Sequence, residues 1–398
     1  MTEARYELPP SIAKFSGQIN DVDAHESIPL NRWIEEFGSV ATEFVEAIKL
    51  SNLIIKTEKD ADDAEINDHN VWKLKMEQAP GAFDFDRRLA VMDYTGIHRQ
   101  LMYPGSLGLF SLSFYTRLED PKIFSSITGD RRAYARKLID AYNGWCARLY
   151  REQDRLRPVA VLLEESPEEM IATAKKLIGQ GIRAFWIPTD RLPGNRSPAH
   201  PDLDPLWDVL SAAKAPLLSH VGATEGVLKT MKWRDAPAFQ GWKAGNESSF
   251  DPWTLSNFHL GAQVFFTTMV LGGVFHRYPD LRFGSAELTG HWVGPMAENM
   301  DLWYENIPFK VSVGEKLLKE KPSEYVRRCL RVACFDFEPV GAYIDRFGLE
   351  EVYCYASDFP HHEGGVDPMN DFANSLQNQS ESTLRKFFID NGKELLPD

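Results

Sequence analysis

Short apolar runs of strand length recur along the chain, and most are separated by segments with helical periodicity. These runs predict eight strands, at residues 18–23, 100–103, 157–162, 183–187, 216–220, 282–287, 331–335 and 351–357. Helices are predicted between them, most clearly over residues 130–153, 167–178 and 205–213. Eight β units that alternate with helices favour an α/β fold of the parallel (β/α)8 type, a TIM barrel with right-handed crossovers.

The length of the chain fits such a barrel. A chain of 398 residues is long for an ordinary domain, but barrels reach this size with insertions, so we expect one domain over residues 1–398. Two long segments interrupt the alternation, at about 26–81 and 223–256, after the first and fifth predicted strands. Loops at this end of the strands form the mouth of a barrel. The insertions are therefore candidate lids, with surface decoration or a subunit contact as the alternative.

Charge and composition restrict the partners and the compartment. The 44 basic and 58 acidic residues give a formal net charge of −14, which disfavours nucleic acid and anionic membranes as partners. The four cysteines lie in apolar contexts without CxxC spacing, so we expect buried free thiols in a reducing compartment. No secretory signal pattern and no apolar run of membrane-spanning length is found, which predicts a cytoplasmic protein.

Ligand-type side chains stand at the ends of four predicted strands. The first strand leads into Asp23 and His25, the fifth ends at His220, the sixth ends at Glu287, and the eighth leads into Asp358. The carboxyl ends of the strands of a parallel barrel meet on one face, however far apart they lie in the sequence. A single strand-end histidine is more often structural, but four such ends together favour a metal site, because a buried carboxylate needs a positive partner.

Four motifs resemble the amidohydrolase-related barrels of the aminocarboxymuconate-semialdehyde decarboxylase type. They are Asp-Val-Asp-Ala-His at 21–25, Ser-His-Val-Gly at 219–222, Gly-Val-Phe-His-Arg-Tyr-Pro-Asp-Leu-Arg at 273–282 and Ser-Asp-Phe-Pro-His at 357–361. The similarity extends over about residues 18–396. The resemblance implies one metal held by Asp23, His25, His220 and Asp358.

This chain departs from the pattern of that group at two positions of the site. Decarboxylases of the group usually carry a histidine as the proton carrier where this chain has Glu287, which argues against ordinary decarboxylation, and Asp23 replaces the more usual His or Glu. His361 is either a ligand of a second metal or a residue that orients Asp358. With it, three carboxylates and three imidazoles are available, enough for two ions. Such a mixed set favours iron, or manganese with iron, at least as much as zinc.

The carboxylate-rich strand ends resemble a branch of this family that comprises dinuclear iron or manganese/iron hydroxylases. They predict an oxygenase that uses dioxygen to hydroxylate an aliphatic C–H bond of a small organic acid or its derivative. The alternative is a non-oxidative decarboxylase or hydrolase with one Zn or Mn ion, in which Glu287 or His291 moves the proton. His291 is equally well explained as a residue that caps a helix or contacts solvent.

A third reading is a supporting subunit of an active paralogue. For the enzymatic readings we expect a small-molecule substrate. We also expect an oligomer, formed by this chain alone or with a paralogous subunit.

Overall fold

The structure is a computed structural model that describes residues 6–51, 58–120, 122–222, 233, 235–239, 251–306 and 318–397. Much of the expected second insertion, residues 223–232, 234 and 240–250, lies outside this described part. The strands are β1 (Ile19–His25), β2 (Ile97–Tyr103), β3 (Leu156–Pro158), β4 (Ala160–Val161), β5 (Phe185–Trp186), β6 (Leu217–His220), β7 (Phe283–Ala286), β8 (Leu330–Ala333) and β9 (Tyr353–Cys354). Neighbouring strands pair in parallel, in the orders β1-β2-β3 and β4-β5-β6-β7-β8-β9.

Backbone hydrogen bonds join these two sheets into a closed barrel. Strands β3 and β4 are separated by Val159 alone, whose N–H donates to the carbonyl of Met102 at 2.9 Å, so they form one interrupted strand. At the other seam, β1 pairs with the segment that follows β9. The N–H of His25 donates to the carbonyl of Phe359 at 2.8 Å, and the N–H of Asp358 donates to the carbonyl of Asp23 at 2.9 Å. In the described part of the chain, each of the eight predicted strands overlaps an observed one, which confirms the barrel.

Helices alternate with the strands and cover the barrel. They are α1 (Trp33–Phe37), α2 (Thr42–Leu50), α3 (Asp68–Lys73), α4 (Phe85–Thr95), α5 (Leu107–Thr116), α6 (Arg131–Glu152), α7 (Pro167–Gly179), α8 (Asp204–Ala212), α9 (Pro252–Asn257), α10 (Leu260–Leu271), α11 (Val274–Arg277), α12 (Val293–Asn306), α13 (Pro322–Cys329), α14 (Val340–Phe347), α15 (Pro368–Ser375), α16 (Glu381–Arg385) and α17 (Asn391–Lys393), with a π-helical segment, Lys386–Asp390, between the last two. Short 3-10 turns lie at Ala13–Phe15, Leu30–Arg32, Ser39–Ala41, Met76–Gln78, Pro193–Asn195, Pro201–Leu203 and Pro237–Phe239.

Local sequence explains where the predicted helices begin. The side chain of Ser166 accepts a hydrogen bond from the N–H of Glu169, and Pro167 occupies the first position of α7. The side chain of Asp130 accepts from the N–H of Ala133 at the start of α6. Such caps satisfy N–H groups that have no partner within the helix. The predicted helices over 130–153, 167–178 and 205–213 therefore begin and end within one residue of the observed α6, α7 and α8.

The first expected insertion is helical where it is described. The chain between β1 and α4 forms α1, α2 and α3. All seven residues of β1 are buried, because one face lines the barrel and the other packs under the outer layer. The four cysteines, Cys146, Cys329, Cys334 and Cys354, are buried and free, as expected from their spacing. Within the described residues, no helix combines the length and apolar character needed to cross a membrane.

Candidate metal centre

The six predicted ligands converge at the carboxyl ends of the strands. His25 is the last residue of β1, His220 is the last residue of β6, and Glu287 directly follows β7. Asp358 and His361 lie in the loop after β9, beside Asp23 of β1. All six residues are buried, with exposed fractions of 6% or less. The barrel therefore brings together residues that are up to 338 positions apart, as their places at strand ends predict.

These side chains form two overlapping groups of potential ligands. One group comprises Asp23, His25, His220 and Glu287, and the other comprises His25, Glu287, Asp358 and His361. Within each group, one ligand atom from each residue lies within 4.8 Å of all the others. Glu287 faces both groups, because its Oε2 lies 3.5 Å from Nε2 of His220 and its Oε1 lies 3.4 Å from Nε2 of His25.

The separations between these atoms suit a shared cation better than direct hydrogen bonds. Nε2 of His25 lies 3.5 Å from Oδ1 of Asp23 and 3.5 Å from Oδ1 of Asp358. Nδ1 of His361 lies 3.4 Å from Oδ1 of Asp358 and 3.6 Å from Oε1 of Glu287. A nitrogen–oxygen hydrogen bond is usually about 2.7–3.2 Å long. Two ligand atoms that are each about 2.1 Å from one tetrahedral ion lie about 3.4 Å apart, which matches these distances.

Several of these buried atoms have no hydrogen-bond partner among the described residues. They are Oδ1 of Asp23, both ring nitrogens of His25, Nε2 of His220, Oε1 of Glu287 and both carboxylate oxygens of Asp358. Buried polar atoms are nearly always satisfied in folded proteins, because an unsatisfied one costs about 1–3 kcal/mol. Within each group, one potential ligand atom from each residue lies within 4.8 Å of the others. Ligand atoms that lie this close together without hydrogen-bond partners are therefore expected to hold a cation.

The electrostatics of the site also call for positive charge. In the described part of the chain, the three carboxylates form ion pairs only with these histidines. Burial, together with the charge of Glu287, holds the pKa of Asp358 well above its usual value. Burial would lower the pKa of His220, but the charges of Glu287 and then Asp23 outweigh it and raise that pKa. Burial would likewise raise the pKa of Glu287, but His220 holds it well below its usual range.

The backbone is strained where the two carboxylates leave their strands. Glu287 has a φ of 52° and Asp358 a φ of 51°, and Thr289, two residues after Glu287, has a φ of 58°. Non-glycine residues rarely adopt this left-handed region, and each such residue costs about 1–3 kcal/mol. The surrounding structure must hold these turns in place. Strain of this kind concentrates at functional sites, which agrees with a role for Glu287 and Asp358 at the centre.

Aromatic rings support the histidines. The ring of His25 stacks on that of His361, with centroids 3.6 Å apart, and meets that of His220 edge to face at 5.0 Å. Tyr103 and Trp186 lie beside His220, with ring centroids 4.6 and 5.2 Å from it. These contacts restrict the rotation of the imidazoles and so fix the positions of their ring nitrogens.

Three buried charged residues that support the centre were not assigned a role from the sequence. The carboxylate of Asp21 accepts hydrogen bonds from Ser357, through its N–H at 3.0 Å and its hydroxyl at 2.6 Å, and from Nε2 of Gln100 at 2.9 Å. The guanidinium of Arg88 donates to the carbonyl of His25 at 2.7 Å. The carboxylate of Glu26 accepts from the N–H groups of Gly105 and Ser106. A weak sequence signal for Asp21 is its spacing, because residues 21, 23 and 25 lie on the same face of β1.

His291, the second predicted catalytic residue, lies outside the two groups of ligands. Its side chain is exposed, and its Nδ1 lies 2.7 Å from the hydroxyl of Thr289. Its ring meets that of His259 edge to face, with centroids 4.7 Å apart. The sequence placed His291 near the site because it follows Glu287 closely, but the turn through Thr289 carries the chain into α12. A role for His291 in proton transfer stays a prediction.

A (β/α)8 barrel with these side chains at its mouth is typical of metal-binding barrels. Comparison with known families agrees with this class. The amidohydrolase family model matches residues 127–397, and the chain belongs to this family. Among curated proteins, none matches the chain.

Solved structures of low sequence identity share the fold over nearly the whole chain. An amidohydrolase from Mycobacterium avium subsp. paratuberculosis K-10 is 18% identical, with a TM-score of 0.64 over 96% of this chain and 99% of that one. A dihydroxybenzoic acid decarboxylase from Polaromonas sp. JS666, with bound manganese and the inhibitor 2-nitroresorcinol, is 15% identical, with a TM-score of 0.58 over 95% and 96%. A 5-carboxyvanillate decarboxylase from Sphingomonas paucimobilis is 15% identical, with a TM-score of 0.57 over 96% and 99%.

These comparisons correct the predicted activity. The neighbouring structures include decarboxylases of aromatic acids, two of which contain manganese, so the prediction of an oxygenase was wrong. The findings agree with the alternative, a non-oxidative decarboxylase. The error arose because three carboxylates and three histidines were taken as a sign of oxygen chemistry. Carboxylate and imidazole ligands also suit manganese and zinc, so the set of ligands alone does not select the reaction.

Proposed function

We propose that this protein is a divalent-metal-dependent decarboxylase that removes CO2, without oxidation, from a small aromatic acid that carries a hydroxyl group. The observation that carries the proposal is the convergence of six buried ligand-type residues at the barrel mouth, Asp23, His25, His220, Glu287, Asp358 and His361. The first five of them have ligand atoms without a hydrogen-bond partner among the described residues. The substrate class is suggested by the neighbouring structures, which include decarboxylases of dihydroxybenzoic acid and of 5-carboxyvanillate.

The proposed ligands are the six residues of the two groups. A bound divalent cation is a Lewis acid that stabilises negative charge on substrate oxygens. The residues of this chain would hold the cation in place and keep bulk water out, because all six are buried and Tyr103 and Trp186 pack against His220. Loss of CO2 leaves an electron pair on carbon, which must then take up a proton.

Glu287 and Asp358 are both assigned to metal binding. Burial and the charge of Glu287 raise the pKa of Asp358, so a neighbouring cation would stabilise the charged form of this carboxyl group. Glu287 stands where decarboxylases of this type usually carry a histidine, and His220 holds its pKa low, which suits a ligand rather than an acid. We therefore assign Glu287 to metal binding, and the transfer of the proton by His291 stays a prediction.

The number of ions is a separate part of the proposal. Glu287 directs Oε2 toward His220 and Oε1 toward His25 and His361, so it is placed to bridge two ions. We propose two ions, one held mainly by Asp23 and His220 and the other mainly by Asp358 and His361. Manganese is favoured because two of the neighbouring decarboxylases bind it, and iron and zinc are the other outcomes of metal analysis. His361→Ala should then lower the metal content from two equivalents to about one.

The reaction can be tested directly. Metal-free protein is reloaded with Mn, Fe or Zn under anaerobic conditions and incubated with 2,6-dihydroxybenzoate or 5-carboxyvanillate, and released CO2 is measured. We expect metal-dependent release of CO2 with no need for dioxygen. Release of an amine from an amide substrate, with no CO2 from either acid, would instead favour the hydrolase predicted as an alternative from the sequence.

The expected oligomer, formed by this chain alone or with a paralogous subunit, stays a prediction.

A further inference from the structure

Tyr103 lies against the centre, although its sequence context did not single it out. It is the last residue of β2, it is fully buried, and it stands opposite His25 in the register of β1 and β2. Its ring lies 4.6 Å from that of His220 and 6.1 Å from that of His25, measured between centroids. Its side chain therefore contacts two of the three proposed histidine ligands.

The hydroxyl group of Tyr103 has no hydrogen-bond partner among the described residues. A buried tyrosine hydroxyl normally finds such a partner, because leaving it unsatisfied is unfavourable. Here the ring is held by the imidazoles, while the O–H has no acceptor in the part of the chain that the structure describes. A donor that is fixed in position and unsatisfied in this way is suited to an acceptor that arrives with a ligand.

The hydroxyl group of Tyr103 offers a hydrogen-bond donor that carries no charge. A phenolate would add a fourth negative charge to a site that already holds three carboxylates. Tyr103 is therefore suited to donate a hydrogen bond, and it is poorly suited to bind the metal as an anion.

We propose that the hydroxyl of Tyr103 donates a hydrogen bond to an anionic oxygen of the substrate held at this centre, which makes Tyr103 a catalytic residue. The proposal rests on the proposed function for the nature of the substrate. The cations of the proposed centre would attract an anionic substrate, and a neutral donor on the wall of the site would hold one of its oxygens in a fixed position without an added charge. The hydrogen bond would be charge-assisted, and such bonds are among the stronger ones in proteins.

A small anion tests the donor without turnover. Cobalt-loaded wild-type protein, Tyr103→Phe and Tyr355→Phe are titrated with azide, which is followed by visible absorption, and the cobalt content of each is measured. Tyr355 is a matched control, because it is also fully buried with an unpartnered hydroxyl, but its ring packs on Phe372 and Phe388. We expect Tyr103→Phe to bind azide roughly tenfold more weakly, with unchanged cobalt content, while Tyr355→Phe binds it as the wild type does.

Two results would overturn the proposal. Equal azide affinity in Tyr103→Phe and wild type would show that the hydroxyl does not meet a ligand at the centre. Loss of cobalt from Tyr103→Phe alone would show that the hydroxyl holds the metal or its ligands. Decarboxylation is assayed separately. Weaker azide binding by Tyr103→Phe, with no decarboxylation by the wild type, would contradict only the proposed reaction. Decarboxylation by the wild type, with equal azide affinity in Tyr103→Phe, would contradict only the proposed role of Tyr103.

Discussion

Two hydrogen bonds join Asp21 and Ser357 across the seam where the barrel closes. Oδ1 of Asp21 accepts from the N–H of Ser357 at 3.0 Å, and Oδ2 accepts from its hydroxyl at 2.6 Å. Asp21 lies two residues before Asp23, and Ser357 lies directly before Asp358. One buried carboxylate therefore sets the relative positions of two proposed metal ligands that lie at opposite ends of the chain.

Asp21→Asn should weaken metal binding without removing any ligand atom. The amide nitrogen of asparagine cannot accept a hydrogen bond, whereas both oxygens of Asp21 do. At least one of the buried donors of Ser357 and Gln100 therefore loses its partner. Loss of a group that orients a ligand typically lowers metal affinity by about 10- to 100-fold. Titration of metal-free protein with manganese measures this change. Asp280→Asn, at an exposed position, is the control and should bind manganese as the wild type does; equal affinities in all three proteins would contradict the role of Asp21.

Arg88→Met should destabilise the metal-free protein by about 3 kcal/mol. Arg88 is fully buried and donates to the carbonyls of His25 and Gly81 and to the side chain of Gln100, all of which lose a donor in the variant. Urea unfolding of the metal-free protein measures the effect. Arg151→Met, on the exposed face of α6, should change the stability by less than about 0.5 kcal/mol. A similar loss in both variants would show that Arg88 contributes only as a generic surface charge does.

Glu287→Gln should lower the metal content together with the activity. The substitution removes the negative charge that lies between His25, His220 and His361, so the site attracts a cation less strongly. Metal analysis after gel filtration gives the stoichiometry, and CO2 release gives the activity. A variant with a full complement of metal and no activity would make Glu287 the acid or base of the reaction, which contradicts its assignment as a ligand.

His259 should titrate at about pH 4. Burial and, to a smaller extent, the charge of the neighbouring His291 lower its pKa to about 4. The value lies below the 6.5 of an unfolded histidine, so the neutral form is favoured by folding, and the free energy of unfolding contributed by His259 falls as the pH drops from about 6.5 toward 4. An NMR titration of the histidine ring protons measures the pKa. His291→Ala should raise it, and an unchanged value would show that the two rings do not interact in solution.

The sequence by itself determined the barrel and most of its candidate centre. Short apolar runs of strand length, separated by segments with helical periodicity, are sufficient to indicate eight parallel strands of a barrel. Once the strands were identified, Asp23, His25, His220 and Glu287 had to share one face, since the carboxyl ends of parallel strands always do. The motif around Asp358 and His361 carried the family resemblance.

Only the tertiary structure decided which polar residues near that face belong to the centre. Asp21 and Asp23 follow the same alternation on β1, yet Asp21 is satisfied by Ser357 and Gln100, while Asp23 faces the histidines. His291 is close to Glu287 in sequence but leaves the site through a turn, and Tyr103 and Arg88 reach it from β2 and α4. These choices depend on contacts between distant segments, which local periodicity does not encode. The reaction depends on them as well, because the same ligand types serve several chemistries until their arrangement and neighbours are known.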